Sequence, residues 1–314
     1  MPTCRAVFTR FLMKHFIGRK YRKAGQSIPA LRKLDDLMIR SQRPPRGTRV
    51  SPANLDGLSG DWVQGPGARS DGAILHLHGG AFVTGSPEAY RELAARISAS
   101  ARMRVFSLDY RLAPEYPFPA ALEDTLSAYR WLLDQGYPSS RLVVGGESSG
   151  GGLALQALLS MRHENAPMPA AAFFLSPVTD WVGLDGESYR SRASVDPLVF
   201  HRQCEFTASH YVGDHPPDAP LLRPATMDLT GLPPMWIQVG DYEVLLSDAQ
   251  GLARRATDAG VDVDFKVWPG LWHVFQGAAR MVPEARASLA ELGRFVRDRV
   301  PEGSGTPTDL GESD

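Results

Sequence analysis

Gly145-Gly146-Glu147-Ser148-Ser149-Gly150-Gly151-Gly152 is the stretch whose reading decides the fold. Before it lies a short apolar run, Arg141–Val144, that reads as a strand. After it, Ser149–Met161 reads as a helix. A chain that passes from strand to helix this abruptly turns so tightly that side chains beside the turn would clash. That need accounts for glycine two positions to either side of Ser148. The turn would aim the Ser148 hydroxyl into a cleft, with the partial positive charge of a helix start beneath it. Taken alone, the pattern also fits a Gly-rich helix start or a phosphate cradle, so the rest of the chain must discriminate.

Outward from this turn, short apolar runs alternate with longer helical stretches from about residue 72. Ala73–Leu77, Arg104–Leu108, Ala170–Leu175, Met235–Val239 and Asp262–Val267 read as strands. Ala120–Leu133, Leu246–Ala259 and Glu284–Arg299 carry apolar residues at helical spacing. The alternation predicts an α/β fold with a mostly parallel central sheet and helices on both faces. Its site would lie beyond the carboxyl ends of the strands. The rhythm fails between about Trp181 and Pro224, a stretch rich in Pro, Asp and His. This insertion, about 180–225, and an N-terminal segment, 1–45, are the expected helical cap on a catalytic domain spanning 46–300. Residues 301–314 are polar, rich in Gly, Pro, Ser and Thr, and expected to be a disordered tail.

His76-Leu77-His78-Gly79-Gly80-Ala81-Phe82 follows the first central strand. Small residues there would let the backbone approach a substrate carbonyl. Gly79, Gly80 and Ala81, with the N–H of Ser149, are the expected oxyanion donors. His78 is expected to brace this loop by hydrogen bonding, and His76 to pack within its strand. In combination these motifs resemble the hormone-sensitive-lipase-like esterases, also called the HGGG family or family IV, of the α/β-hydrolase superfamily. His78-Gly79-Gly80 is similar to that family's oxyanion motif, with Ala81 in place of the third glycine. The substitution should narrow the pocket slightly and keep the N–H. Asp109-Tyr110-Arg111-Leu112-Ala113-Pro114-Glu115-Tyr116-Pro117 is similar to the segment after the family's next strand, and Gly-Glu-Ser-Ser-Gly-Gly to its commoner Gly-Asp-Ser-Ala-Gly-Gly. The resemblance runs from about residue 70 to 298. It implies the α/β-hydrolase fold and a serine esterase or lipase.

Ser148 is then the expected nucleophile. His273, in Trp268-Pro269-Gly270-Leu271-Trp272-His273, sits in a turn near the chain end, where the Ser…acid…His order places a base. His163, His201, His210 and His215 fall in loops or the cap region and are expected to be solvated or satisfied. Gly240-Asp241-Tyr242-Glu243-Val244-Leu245-Leu246-Ser247-Asp248 offers three carboxylates after a strand. The resemblance implies an acid thirty residues before the histidine, which is Glu243, with Asp241 as the alternative. Asp248 is expected to support the following helix. The implied chemistry is hydrolysis of short-acyl carboxylic esters through an acyl-enzyme, with no cofactor and no metal. A lipase or an acetyl-hydrolase/deacetylase would use the same groups, and a ligand-binding homologue without catalysis is a rival of another class.

Composition narrows the partners. The chain has 314 residues and a net charge of −1, which excludes it as a general electrostatic partner of nucleic acid. Cys4 and Cys204 are too few for a disulfide framework and suit a reducing, cytoplasmic setting. Neither a secretory signal nor a bilayer-spanning run is expected. Residues 1–50 nevertheless hold thirteen Lys/Arg against Asp35 and Asp36. Val7, Phe8, Phe11, Leu12, His15 and Phe16 recur at helical spacing among those cations. The stripe is expected to cover the active site as a lid; the alternative is a peripheral membrane contact through residues 1–25. A small-molecule ester is the expected partner, and a homodimer is compatible with the reading.

Overall fold

A computed structural model of the chain describes residues 1–55 and 57–302. The strands are β1 (Arg49–Leu55), β2 (Leu58–Gln64), β3 (Arg69–Leu77), β4 (Met103–Asp109), β5 (Leu142–Glu147), β6 (Ala171–Leu175), β7 (Met235–Gly240) and β8 (Val263–Trp268). They form one eight-stranded sheet in the order β1-β2-β4-β3-β5-β6-β7-β8. Neighbours from β4 through β8 are parallel, whereas β2 pairs antiparallel with both β1 and β4.

The central strands read as continuous apolar runs because both faces of the sheet are covered. Side chains alternate across a strand, so β5 sends Leu142 and Val144 to one face and Val143 to the other. On the first face they meet Leu153 and Leu158 of helix Ser149–His163 and Leu132 of helix Ala120–Asp134. On the second, Val143 belongs with Ile97 of helix Pro87–Ala101 and Leu289 and Phe295 of helix Pro283–Arg299.

Three elements were not legible in the sequence. The hairpin β1–β2 has few large apolar residues, and β1 carries Pro52 and largely exposed side chains, both tolerated at a sheet edge. Gly60 is required where β2 crosses β4, because a Cβ there would strike the Phe106 ring. Helix Pro87–Ala101 starts on a local signal, since the Ser86 hydroxyl accepts the Ala89 N–H at 3.1 Å and Pro87 occupies the first turn.

The N-terminal segment winds through helix Cys4–Leu12, a π-helical turn Met13–Ile17, helix Gly18–Ala24 and helix Ile28–Ser41. Here the expected lid stripe is corrected. Val7, Phe8, Phe11 and Phe16 are 43%, 63%, 54% and 61% exposed and face away from the cleft. The helix lies too close to the body for large side chains to face it. Ala6, Thr9 and Gly18 take the inner side, and a Cβ on Gly18 would collide with the Pro197 carbonyl. Met13, Ile17 and Tyr21, four residues apart, line the cleft instead. The region from Trp181 to Pro224 holds helices Glu187–Ser191 and His201–Val212 and no strand of the sheet. Among the described residues no helix is long and apolar enough to cross a membrane. The tail expected over 301–314 lies, from residue 303 onward, outside the described residues.

Candidate active site

β5 ends at Glu147, helix Ser149–His163 begins two residues later, and Ser148 sits between them at φ 56°, ψ −124°. That left-handed conformation costs a non-glycine residue about 1–3 kcal/mol and persists because its surroundings enforce it. A Cβ on Gly146 or Gly150 would collide with the Leu77 carbonyl at the end of β3. The glycines therefore answer to the neighbouring strand as well as to the turn. The Ser148 N–H donates to the Leu175 carbonyl at 2.9 Å, which ties the turn to β6.

The structure brings Ser148, His273 and Glu243 into one line. Ser148 Oγ lies 3.0 Å from His273 Nε2, and His273 Nδ1 lies 2.9 Å from Glu243 Oε2. Glu243 is fully buried, and its other oxygen accepts from the Ser176 hydroxyl at 2.8 Å and the Gly240 N–H at 2.6 Å. Asp241 is turned elsewhere: it accepts the Gly270 N–H at 2.5 Å and so braces the turn that carries His273. Asp248 accepts from the N–H and hydroxyl of Thr179, tying down the loop after β6 without capping its own helix. Burial opposes a charge on His273, but the hydrogen bond and charge of Glu243, with Asp196 and Glu147 farther off, outweigh it and raise the pKa above the usual imidazole value.

The oxyanion loop needs a correction. The Gly79 N–H donates at 2.8 Å to Glu147 Oε1 and so does not face the cleft as a donor. Gly80, Ala81 and Phe82 all have positive φ, which turns the loop back beside the serine. Among the described residues no hydrogen bond takes the N–H of Gly80, Ala81 or Ser149, the last being in a helix's first turn. All three residues line the cleft with Ser148 and His273. His78 is buried between the Tyr90 and Tyr110 rings, and its Nδ1 meets the Gly79 carbonyl at 2.7 Å. That carbonyl can only accept, so the proton is on Nδ1, and burial lowers the His78 pKa to about 4.

Glu147 is a residue that reading the sequence missed. It is fully buried, and its second oxygen meets His76 Nε2 at 2.8 Å while His76 Nδ1 meets Ser107 Oγ at 3.2 Å. An acid in an apolar strand end, one residue before Ser148, was the available signal. Glu147→Ala would strand the Gly79 N–H and His76 without an acceptor in a dry interior. It is expected to lower stability by about 2–4 kcal/mol, read as a fall in the denaturant midpoint. Glu147→Gln, which keeps an acceptor oxygen, should lose about half as much. An alanine variant as stable as the parent would show that this bridge does not hold the loop.

Asp196, also unread in the sequence, joins the insertion to the acid's turn. It accepts from Leu198 and Val199 on its own segment and from Val244, the neighbour of Glu243. Burial pushes its carboxyl up to about 6 against the pull of His273 and those three N–H groups. The cleft over Ser148 measures about 740 Å³ and is walled mainly by apolar side chains. Cys204 stands in that wall, but burial pushes its thiol up to about 12, so it is no competing nucleophile. A second hollow of about 780 Å³, beside Leu58, Arg111 and Trp131, contains none of the aligned residues. Among the described residues no group of three or more His, Cys, Asp or Glu is placed to hold a metal ion.

Comparison with known proteins agrees with this architecture. A family model described as the alpha/beta hydrolase fold matches residues 74–277. An acetyl-hydrolase of Streptomyces hygroscopicus is 41% identical over 244 residues, 77% of this chain and 81% of that protein. The carboxylesterase/phospholipase LipF of Mycobacterium tuberculosis is 36% identical over 284 residues, 87% of this chain and 75% of that protein. The crystal structure of an esterase from the bacterial hormone-sensitive lipase family superposes with a TM-score of 0.89 at 39% identity, covering 96% of this chain and all of that one. With a family model over most of the chain, and relatives similar over three quarters or more of their lengths, the chain belongs to the α/β-hydrolase family, in its hormone-sensitive-lipase-like branch.

Proposed function

We propose that the protein is a serine carboxylesterase that hydrolyses short-acyl esters through an acyl-enzyme on Ser148. The observation that carries this reading is the unbroken line from the Ser148 hydroxyl through His273 to Glu243. Ser148 Oγ attacks the ester carbonyl as His273 Nε2 takes its proton. The N–H groups of Gly80, Ala81 and Ser149 hold the oxyanion, and Glu243 holds the imidazolium in place. His273 returns the proton to the leaving alcohol, and water then repeats the sequence on the acyl-enzyme. A fluorophosphonate should label Ser148; an unlabelled serine would favour the ligand-binding rival.

The short-acyl preference is supported by Trp181, which is nearly buried in the cleft wall. Its ring lies 5.4 Å from that of Phe82 and presses on Gly152, where an added Cβ would meet it. Phe82 in turn stacks on Tyr211 at 3.6 Å, so rigid buried rings back Trp181 in this wall. Among p-nitrophenyl esters, kcat/KM for acetate or butyrate is expected to exceed that for palmitate by roughly tenfold or more. A maximum at palmitate would move the assignment to the lipase reading. The acetyl-hydrolase reading stays within the same chemistry and is favoured by the name of the Streptomyces relative.

A cytoplasmic setting, a homodimer and a peripheral membrane contact through residues 1–25 belong to this proposal. Cys4 and Cys204 are both free thiols, which suits a reducing compartment. β8 ends the sheet with Phe265 exposed, where a second copy could pair. Sedimentation velocity tests the dimer, and a single monomeric species at every concentration would end it.

A further inference from the structure

The N-terminal helix presents two apolar sides, only one of which the cleft uses. Met13, Ile17 and Tyr21 line the cleft, whereas Phe8, Phe11 and Phe16 lie on the outside, each more than half exposed. The π-helical turn Met13–Ile17 takes more residues per turn than an α-helix, and the smaller rotation per residue lets Phe16 follow Phe8 and Phe11 along one side. Large aromatic side chains side by side in water mark an interaction surface.

The helix is not loosely attached. The N–H of Thr3 donates to Glu284 at 2.5 Å, Lys14 donates to the Ser194 carbonyl at 2.7 Å, and Arg22 stacks over Phe200. Arg10 donates to the Gly270 carbonyl and lies over the Tyr242 ring. These contacts spend some of the cations on the body of the protein. Arg5, Arg19, Lys20 and Lys23, on the same run of helix as the aromatic side chains, remain exposed. Residues 1–34 contain nine Lys/Arg and no Asp or Glu. An exposed aromatic surface accompanied by exposed cations, with no Asp or Glu before Asp35, is complementary to an anionic lipid headgroup layer above hydrocarbon.

We infer that this outer face docks the protein on an anionic bilayer surface, through Phe8, Phe11 and Phe16 with the cations beside them. Ile17 is both exposed and part of the cleft wall, and Met281, also exposed, stands on the same rim. Docking therefore brings the mouth of the cleft next to the lipid. Resting on the esterase reading, this names a substrate class: short-acyl esters of amphiphilic alcohols that partition into the bilayer.

The test uses the full chain, its Phe8→Asp/Phe11→Asp variant, and vesicles of phosphatidylcholine with or without phosphatidylglycerol. The parent should pellet with anionic vesicles, less with neutral ones, and less again as salt rises. The variant should lose at least about tenfold in bound fraction and in turnover of hexadecyl acetate carried in anionic vesicles. Its kcat/KM for soluble p-nitrophenyl acetate should stay within about twofold, since neither phenylalanine lines the cleft. Failure of the parent to pellet with anionic vesicles, or equal pelleting by the variant, overturns the inference and leaves the esterase reading intact. A parent that pellets but hydrolyses neither ester would sink the esterase reading and keep the docking. If the variant instead turns a dimer into a monomer while the parent ignores vesicles, the face is a self-association surface and the lipid assignment is wrong.

Discussion

Ser148→Ala is expected to lower kcat/KM for p-nitrophenyl acetate by roughly 10⁴- to 10⁶-fold, with the thermal midpoint nearly unchanged. The size of the loss follows from what remains. Without the hydroxyl no acyl-enzyme forms, and His273 can at best activate a water. The N–H groups of Gly80, Ala81 and Ser149 still stabilise an oxyanion, so some rate above the uncatalysed one survives. Stability barely moves because the turn is set by Gly146 and Gly150 against the Leu77 carbonyl, and alanine can occupy the same backbone. Among the described residues, the one hydrogen bond lost by the side chain is the 3.0 Å contact to His273. Kinetics and circular dichroism on the purified variant decide the matter. Activity within tenfold of the parent would remove Ser148 from the mechanism.

Glu243→Gln is the second large effect, a fall of roughly 10³- to 10⁴-fold in kcat/KM. Two donors, the Ser176 hydroxyl and the Gly240 N–H, converge on Oε1. A glutamine would place its carbonyl oxygen there and turn its NH₂ toward His273 Nδ1. The imidazole would then carry its proton on Nε2, facing Ser148, where it cannot accept another. The pH profile separates this from simple damage. Only neutral His273 is a base, so the parent loses activity as pH falls through the raised His273 pKa. Burial lowers that pKa, and Glu243 supplies the largest opposing contributions, so removing its charge should shift the acid limb to lower pH. Asp241→Asn keeps an oxygen for the Gly270 N–H and should cost roughly tenfold or less, with the acid limb in place. The reverse ranking of the two variants would transfer the acid's role to Asp241.

Much of this site is encoded locally. The strand–Gly-x-Ser-x-Gly–helix passage is legible because one turn's geometry imposes its glycines, and β3 through β7 are legible because a doubly covered sheet demands unbroken apolar runs. The hairpin β1–β2 and the start at Ser86 are faint because an edge strand and a single helix cap ask little of composition. Choosing Glu243 over Asp241 drew on family resemblance, since two carboxylates in one turn differ only in where that turn aims them.

By itself the sequence determined a parallel α/β sheet, a serine at a strained turn and a histidine in the loop after the last strand, since each follows from periodicity, order or turn sterics. Tertiary structure alone decided that Gly79 spends its N–H on Glu147, that Asp241 braces Gly270 while Glu243 meets His273, and that Phe8, Phe11 and Phe16 face outward. The reason is directional. Spacing along a chain says which groups can share a region, but which way a donor or a ring points depends on partners tens to hundreds of residues away.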